Sequence, residues 1–200
     1  MAESTQSVAA TARPRRLDEE REQAILQATF DLLGETGYQG LRVDAVAARA
    51  QASKATLYRH WPTKAELVMD SVKFCQRVGE DPMPDTGSLR GDLLAWFGPM
   101  AATITGQDGP ILAALFMALR TEPDLAVQLR EMRESKKPYA EAICARAEAR
   151  GELRPGCDPG LLDEIVPALL FMRCFALGEP LDDAYLDHLT DDIILPLLTR

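Results

Sequence analysis

The sequence predicts an all-α fold, in which a small N-terminal unit of three helices precedes a larger helical C-terminal unit. Apolar residues recur at the spacing of a helix face along most of the chain, as at Ile25, Ala28, Leu32 and Leu33. No alternating apolar and polar run is long enough to indicate a strand. Proline and glycine divide the periodic pattern into segments of helical length.

The composition is that of an ordinary globular protein. Of the 200 residues, 46% are hydrophobic and 26% are charged, which argues against disorder. No apolar run reaches the roughly 20 residues of a membrane span, and no apolar segment of a secretory signal follows the N-terminal arginines. We therefore expect a cytoplasmic protein with no membrane partner.

The four cysteines, Cys75, Cys144, Cys157 and Cys174, are widely spaced and form no CxxC pair. This spacing supports neither a zinc site nor a redox dithiol. We expect buried free thiols, and neither a metal nor a cofactor.

The negative net charge of −9 is unevenly distributed. Residues 36–64 contain five basic residues against Asp44 alone, which gives a local net charge of +4. The five are Arg42, Arg49, Lys54, Arg59 and Lys64. A local basic face attracts phosphate within a Debye length of about 10 Å, whatever the charge elsewhere.

The N-terminal unit is predicted to begin with an unstructured segment. Residues 1–16 contain Pro14 and show no helical period, so we expect a flexible arm with a basic end formed by Arg13, Arg15 and Arg16. A first helix runs from about residue 17 to Gly37, where glycine marks the stop.

Two short helices follow, at about 43–50 and 54–60, with a tight turn at Gln51 and Ala52 between them. Ser53 is a good N-cap for the second. Thr63, with Glu66 three residues on, begins a fourth helix at about 64–78. Two short helices joined by a tight turn are the helix-turn-helix arrangement, whose second helix fits the major groove of DNA.

The residues here resemble the DNA-binding signature of the TetR family over about residues 17–70. The resemblance lies in Gly37-Tyr38, in Val46-Ala47-Ala48-Arg49-Ala50, and in the run from Ser53 to Lys64. It implies that Leu57 and Trp61 pack against Phe30 and Leu33. It also implies DNA contacts from Lys54, Thr56, Tyr58, Arg59 and His60, with Tyr58 and His60 meeting phosphate. Arg42, Ser53 and Lys64 are further candidates for DNA contact. Lys64 lies at the start of the fourth helix, where its ammonium and the free backbone N–H groups can hold a phosphate oxygen.

The sequence departs from the family pattern at three positions. Gln51 stands where the turn usually has glycine, so either the turn is remodelled or strain is accepted. Ala55 replaces a common glycine and favours the helix. Arg42 replaces a Ser or Thr cap, so it either contacts phosphate through its guanidinium or is solvated. The arm's arginines either enter the minor groove or are ordinary surface charge.

The C-terminal unit begins after a loop at 79–87 that contains Pro82 and Pro84. Helices are predicted at about 88–105, 110–120, 123–150, 159–177 and 182–198. The third contains Pro138 and is either kinked or two helices in sequence. The predicted domains are therefore the arm at 1–16, the DNA-binding domain at 17–64 and a regulatory and dimerisation domain at 65–200.

No catalytic constellation occurs in residues 88–200, so we do not expect an enzyme. Methionine and aromatic residues either form a plain core or line an apolar ligand pocket, with Arg120, Tyr139 or Arg173 as polar anchors. The apolar candidates are Trp96, Phe97, Met100, Phe116, Met117, Phe171 and Phe175.

By the resemblance, the last two long helices pair with their copies in a homodimer. Candidate interface residues are Leu161, Leu162, Ile165, Leu169, Leu186, Leu189, Ile193 and Leu197. Two reading helices about 34 to 36 Å apart would match a palindromic operator in double-stranded DNA. The resemblance implies a repressor that a small hydrophobic effector releases. The alternative is a helical carrier of hydrophobic ligands without a DNA function.

Overall fold

The computed structural model describes residues 12–76 and 83–199, and within them all side chains except those of residues 12–18 and 136–138. In these ranges the secondary structure is helical and contains no strand. No helix in the described ranges is long and apolar enough to cross a membrane. The chain divides into two units, Met1–Val78 and Gly79–Arg200.

The described part of unit 1 contains four helices: α1 at Ala12–Gly40, α2 at Val43–Arg49, α3 at Lys54–His60 and α4 at Lys64–Cys75. α4 packs along α1. The four residues expected in the small core are buried, which confirms that expectation: Phe30, Leu33, Leu57 and Trp61.

Two boundaries in unit 1 differ from the sequence-based expectation. α1 begins at Ala12, inside the segment expected to be a flexible arm, because alanine and arginine favour helix and Pro14 is tolerated in a first turn. Residues 1–11 and the side chains of Arg13, Arg15 and Arg16 lie outside the described residues. α4 belongs to unit 1 rather than to the second domain, because its buried face, with Leu67 and Val68, packs on α1.

Gly37 interrupts α1 as the sequence predicts. Its backbone is left-handed, with φ of 68° and ψ of 172°, a conformation that glycine adopts without a steric cost. The chain bends there, and the side chain of the next residue, Tyr38, is buried. The bend therefore sets the direction in which the chain approaches α2.

Unit 2 contains the remaining helices. They are α5 at Leu89–Thr105, α6 at Gly109–Ala118, α7 at Pro123–Ala149, α8 at Gly160–Phe171, α9 at Asp183–His188 and α10 at Leu195–Thr199. α7 is one helix through position 138, which excludes two helices in sequence. A π-helical segment, Met172–Ala176, extends α8, and another, Leu189–Ile194, joins α9 to α10. Pro196, which has no N–H to donate, follows the second π-helical segment.

The core of unit 2 is built from α5, α7, α8 and the last helices, around Leu93, Phe97, Ile143 and Leu170. Three residues expected at a dimer interface are buried in this core instead: Leu162, Leu186 and Leu189. Buried in their own chain, these side chains have almost no surface left for a partner. Leu161, Ile165, Leu169, Ile193 and Leu197 are half-buried.

A buried carboxylate fixes the start of α5. Asp92 is fully buried, and its Oδ1 accepts hydrogen bonds from the Thr86 N–H at 2.6 Å and the Thr86 hydroxyl at 2.8 Å. Its Oδ2 lies 3.4 Å from Nη2 of Arg150 and 3.9 Å from Nη2 of Arg146, both in or next to the end of α7. Arg146 also donates to the carbonyl of Pro84. The cluster thus ties residues 84–86 to two helices.

The pKa of Asp92 is lowered although burial acts to raise it. The two hydrogen bonds from Thr86 and the positive charges of Arg150 and Arg146 favour the carboxylate, and together they outweigh the loss of water. Asp92 is therefore charged in the folded protein at neutral pH.

We expect Asp92→Asn to lower the free energy of unfolding of unit 2 by about 2 kcal/mol, because it removes the negative charge of a fully buried side chain that Thr86, Arg146 and Arg150 contact. Urea denaturation at neutral pH measures this loss. Asp187→Asn is the matched control, because Asp187 is exposed and its partner Arg90 also pairs with Asp191. The control should lose far less; equal losses would contradict the role of the buried cluster.

Because the pKa of Asp92 is lowered on folding, its contribution to stability is complete above the ordinary carboxyl pKa of about 3.9. It is lost as the pH falls from there through the lower folded-state pKa. The stability difference between the parent protein and Asp92→Asn should therefore shrink in acid. Denaturation curves of both proteins at several pH values between about 3 and 7 measure it. A constant difference would contradict the assignment.

Candidate nucleic-acid interface

α2 and α3 are joined by a turn in which the backbone of one residue is strained. Gln51 has φ of +50°, the one non-glycine residue with positive φ among those described. Its carbonyl accepts a hydrogen bond from Nη2 of Arg21 on α1 at 3.2 Å, and the next N–H, that of Ala52, donates to the carbonyl of Ala47 at 2.9 Å. The turn is thus not remodelled: the left-handed position usually given to glycine is kept and its strain accepted.

The ends of α3 are defined by capping. The hydroxyl of Ser53 accepts a hydrogen bond from the N–H of Thr56 at 3.1 Å, as an N-cap does. The same hydroxyl is 2.9 Å from that of Thr56, so both polar groups are engaged in the cap. α3 ends at His60, and Trp61 continues in extended backbone.

One face of α3 is anchored and the opposite face is presented to solvent. Leu57 is only 1% exposed and Trp61 only 5%, and the indole N–H of Trp61 donates to Oδ2 of Asp70 on α4 at 3.1 Å. Tyr58, one residue after the anchor, is 51% exposed. α3 has only seven residues. The packing of Leu57 and Trp61 therefore determines which of its side chains are exposed.

The predicted DNA-contacting residues cluster around this presented face. Lys54, Tyr58, Arg59 and His60 are exposed on α3, with Nη2 of Arg59 3.4 Å from Nε2 of His60. Arg42 is exposed at the start of α2, where its side chain makes no capping hydrogen bond, so the hydroxyl cap is lost as expected. Thr56 and Lys64 are half-buried. Contact of these residues with DNA stays a prediction.

Two of the five basic residues in 36–64 are already paired with acidic ones. Lys54 forms an ion pair with Asp44 across the helix-turn-helix, and this hydrogen bond raises the pKa of Lys54. Arg49 makes a bidentate pair with Glu35 of α1, at 2.7 and 3.0 Å, which lowers the pKa of Glu35. The net charge of residues 36–64 does not include Glu35, because Glu35 lies one position before that range.

Lys64 has a structural role that the sequence did not reveal. Its ammonium donates to the backbone carbonyl of Tyr38 at 2.9 Å and lies 4.2 Å from the centre of the Tyr38 ring. These contacts tie the start of α4 to the bend after Gly37. Contact of Lys64 with a phosphate stays a prediction.

The predicted ligand residues in unit 2 do not form one pocket. Phe97 is fully buried in the core, Trp96, Met100 and Tyr139 are half-buried, and Met117 and Arg120 are exposed. The structure does bring three of them together: the ring centres of Phe116 and Phe171 are 5.1 Å apart, and those of Phe171 and Phe175 are 5.2 Å apart. Phe175 also lines an open groove of about 590 Å³ between the end of α5, the start of α6 and residues 174–180.

A capped short helix that is anchored by its apolar face and presents basic and polar side chains defines a DNA-binding helix-turn-helix protein. Comparison with known families agrees. The model described as "Bacterial regulatory proteins, tetR family" matches residues 25–70, and that described as "Tetracyclin repressor-like, C-terminal domain" matches residues 83–193. The chain belongs to the TetR family of transcriptional regulators.

Relatives span nearly the full length of the chain. The uncharacterized HTH-type transcriptional regulator Rv1556 of Mycobacterium tuberculosis is 37% identical over 182 residues, which cover 90% of this chain and 89% of that protein. The DNA-binding transcriptional repressor TetR of Mycobacteroides abscessus is 33% identical, covering 90% and 95%. The crystal structure of the TetR family transcription regulator SCO0332 superposes with a TM-score of 0.67 at 30% identity, covering 90% of this chain and 100% of that one.

We expect Gln51→Gly to raise the free energy of unfolding of unit 1 by about 1 kcal/mol, because glycine adopts the left-handed backbone without strain. The bond from Arg21 is to the backbone and is kept. Chemical denaturation followed by tryptophan fluorescence measures the change. The control is Ala52→Gly in the same turn, where φ is not positive. That change should lower stability by about 0.5 kcal/mol, and a loss at both positions would contradict the strain.

Proposed function

We propose that the protein is a repressor that binds a palindromic operator as a homodimer and leaves it when a small hydrophobic effector binds unit 2. The single observation that carries the DNA-binding part is the presented face of α3. An α-helix fits the width of the major groove of B-DNA. The packing of Leu57 and Trp61 keeps the exposed side chains of α3 directed outward. Repression has the support of the relative from Mycobacteroides abscessus, which is named a repressor.

The side chains around α3 have separate roles in this proposal. Arg59 has a planar guanidinium that can read guanine through two hydrogen bonds, and Lys54 has an ammonium that can reach a base edge or a phosphate. Tyr58 and His60 donate to phosphate oxygens, as does the exposed Arg42 at the start of α2. Ser53 and Thr56 act through the cap that orients the helix.

The homodimer in this proposal is formed by the outer faces of the last helices. Residues that are half-buried in one chain, such as Ile165 and Leu169 on α8, gain further burial against a copy. Met172 begins the π-helical segment that extends α8, and Leu177 directly follows that segment. Both are apolar and more than half exposed, which supports an interface there. A two-fold symmetric dimer matches an operator whose two half-sites are related by the same symmetry.

The effector in this proposal is apolar and binds near the cluster of Phe116, Phe171 and Phe175. The neighbouring groove, which is open to solvent and largely apolar, has a volume of about 590 Å³, which is within the usual range for small-molecule sites. An effector releases DNA only by its differential affinity for the two states, and the typical coupling is about 1 to 3 kcal/mol.

We expect Arg59→Ala and Tyr58→Ala each to weaken binding to DNA from upstream of the coding sequence by about tenfold or more, because each removes a charged or phenolic donor from the presented face. Fluorescence anisotropy over a series of salt concentrations measures this effect. Arg59→Ala removes a positive charge and should also reduce the slope of log K against log salt by up to about 0.9, whereas Tyr58→Ala removes no charge and should leave the slope unchanged.

Arg130→Ala is the matched control, because Arg130 is an exposed arginine on α7 in unit 2 and the change in net charge is the same as in Arg59→Ala. It should leave affinity and slope unchanged. If all three variants bind like the parent protein, the assigned interface is wrong. If the parent protein binds a hydrophobic ligand but shows no salt-sensitive DNA binding, the carrier function is correct.

We expect Asp44→Asn to strengthen DNA binding several-fold at low salt, because it frees Lys54 from its ion pair and removes a negative charge from the interface. The double variant Asp44→Asn with Lys54→Ala should lose most of this gain. Association rates from stopped-flow fluorescence measure the effect. Equal gains in the single and double variants would show that Lys54 does not contact DNA.

A further inference from the structure

Two cysteines that are 13 positions apart in the sequence line the same cavity in unit 2. The cavity, of about 210 Å³, is lined by both Cys144 and Cys157. Part of the lining is one face of α7, formed by positions 141, 144, 145 and 148, which repeat at helical spacing. The rest of the lining comes from residues 153–159, which connect α7 to α8.

The connection folds back along α7. Gly151 has φ of +74° just after the helix ends, and the N–H of Glu152 donates to the carbonyl of Ala147 at 2.9 Å, which reverses the chain. The N–H of Arg154 then donates to the carbonyl of Leu198 at 3.0 Å. This reversal brings Cys157 to the cavity that Cys144 also lines.

The two thiols differ in exposure. Cys144 is only 3% exposed, whereas Cys157 is half-buried. Burial raises the pKa of Cys144 to about 11, and Cys157, Asp163 and Asp158 add to this effect. Cys144 is thus a protonated thiol at neutral pH, and Cys157 is the thiol that a dissolved oxidant meets first.

We propose that Cys144 and Cys157 form a dithiol site that a hydroperoxide converts to an intrachain disulfide. The thiolate of Cys157 attacks the outer oxygen of the hydroperoxide, the O–O bond breaks, and a sulfenic acid and an alcohol or water result. The sulfur of Cys144 then attacks that sulfenic sulfur. Its proton leaves with the displaced hydroxyl as water, so both sulfurs are oxidised and one hydroperoxide is reduced.

The other cysteines do not share this cavity. Cys75 lies in unit 1, at the end of α4, and Cys174 lines the open groove beside Phe175. The disulfide would link α7 to the connection between α7 and α8, next to the cluster of Asp92, Arg146 and Arg150. It goes beyond the proposed binding of DNA and of an apolar effector, and it does not depend on either.

The test treats the reduced full-length protein with hydrogen peroxide and measures intact mass, free thiols and non-reducing tryptic peptides. We expect the mass to fall by about 2 Da, the two thiol hydrogens, and two of the four thiols to disappear. The four cysteines fall in four different tryptic peptides, so the cross-link can be assigned. We expect peptide 137–146 to be joined to peptide 151–173, and dithiothreitol to reverse the change.

Cys157→Ser should abolish the mass loss, and because its side chain is half-buried this variant avoids a change in the core. Cys75→Ser and Cys174→Ser are matched controls that should still lose about 2 Da. The proposal is overturned if excess peroxide leaves all four thiols titratable, or if it adds only oxygen atoms to them. It is equally overturned if the cross-linked peptides contain Cys75 or Cys174.

Discussion

The burial of Leu57 and Trp61 is the interaction on which the function of this protein depends. A helix of seven residues is too short to be stable alone, so α3 exists because its apolar side chains are packed and its first turn is capped by Ser53. The bond between the Trp61 indole and Asp70 fixes the point where the chain leaves α3. Once this side of the helix is fixed, geometry leaves Tyr58 and Arg59 facing outward.

Ion pairs adjust the same surface. The basic patch seen in the sequence is partly neutralised, because Asp44 pairs with Lys54 and Glu35 pairs with Arg49. In a protein with a net charge of −9, such pairs limit nonspecific attraction to DNA. In our proposal, DNA must compete with Asp44 for Lys54, which favours sites where a base edge or phosphate is well placed over sites that offer charge alone.

In unit 2, the buried charge cluster and the pair of cysteines both lie near the end of α7. The buried carboxylate of Asp92 and its arginine partners hold residues 84–86 against α5 and α7. After Gly151 the chain reverses, and Cys157 comes to line the same cavity as Cys144. The aromatic cluster of Phe116, Phe171 and Phe175 lies instead where α6 meets the end of α8. The candidate effector site and the dithiol site therefore involve different side chains of the same unit.

The sequence by itself determined the helical fold, the helix-turn-helix, its Ser53 cap and the family, because periodicity, capping and turn residues act over a few positions. Only the tertiary structure decided that α4 belongs to unit 1, that Leu162, Leu186 and Leu189 are internal, and that Lys64 binds the carbonyl of Tyr38. It also brought Cys144 and Cys157 to one cavity, although their spacing gave no sign of a dithiol. These features depend on which helix faces pack together. The periodicity of a sequence identifies the apolar face of a helix, but it does not identify the face against which that helix packs.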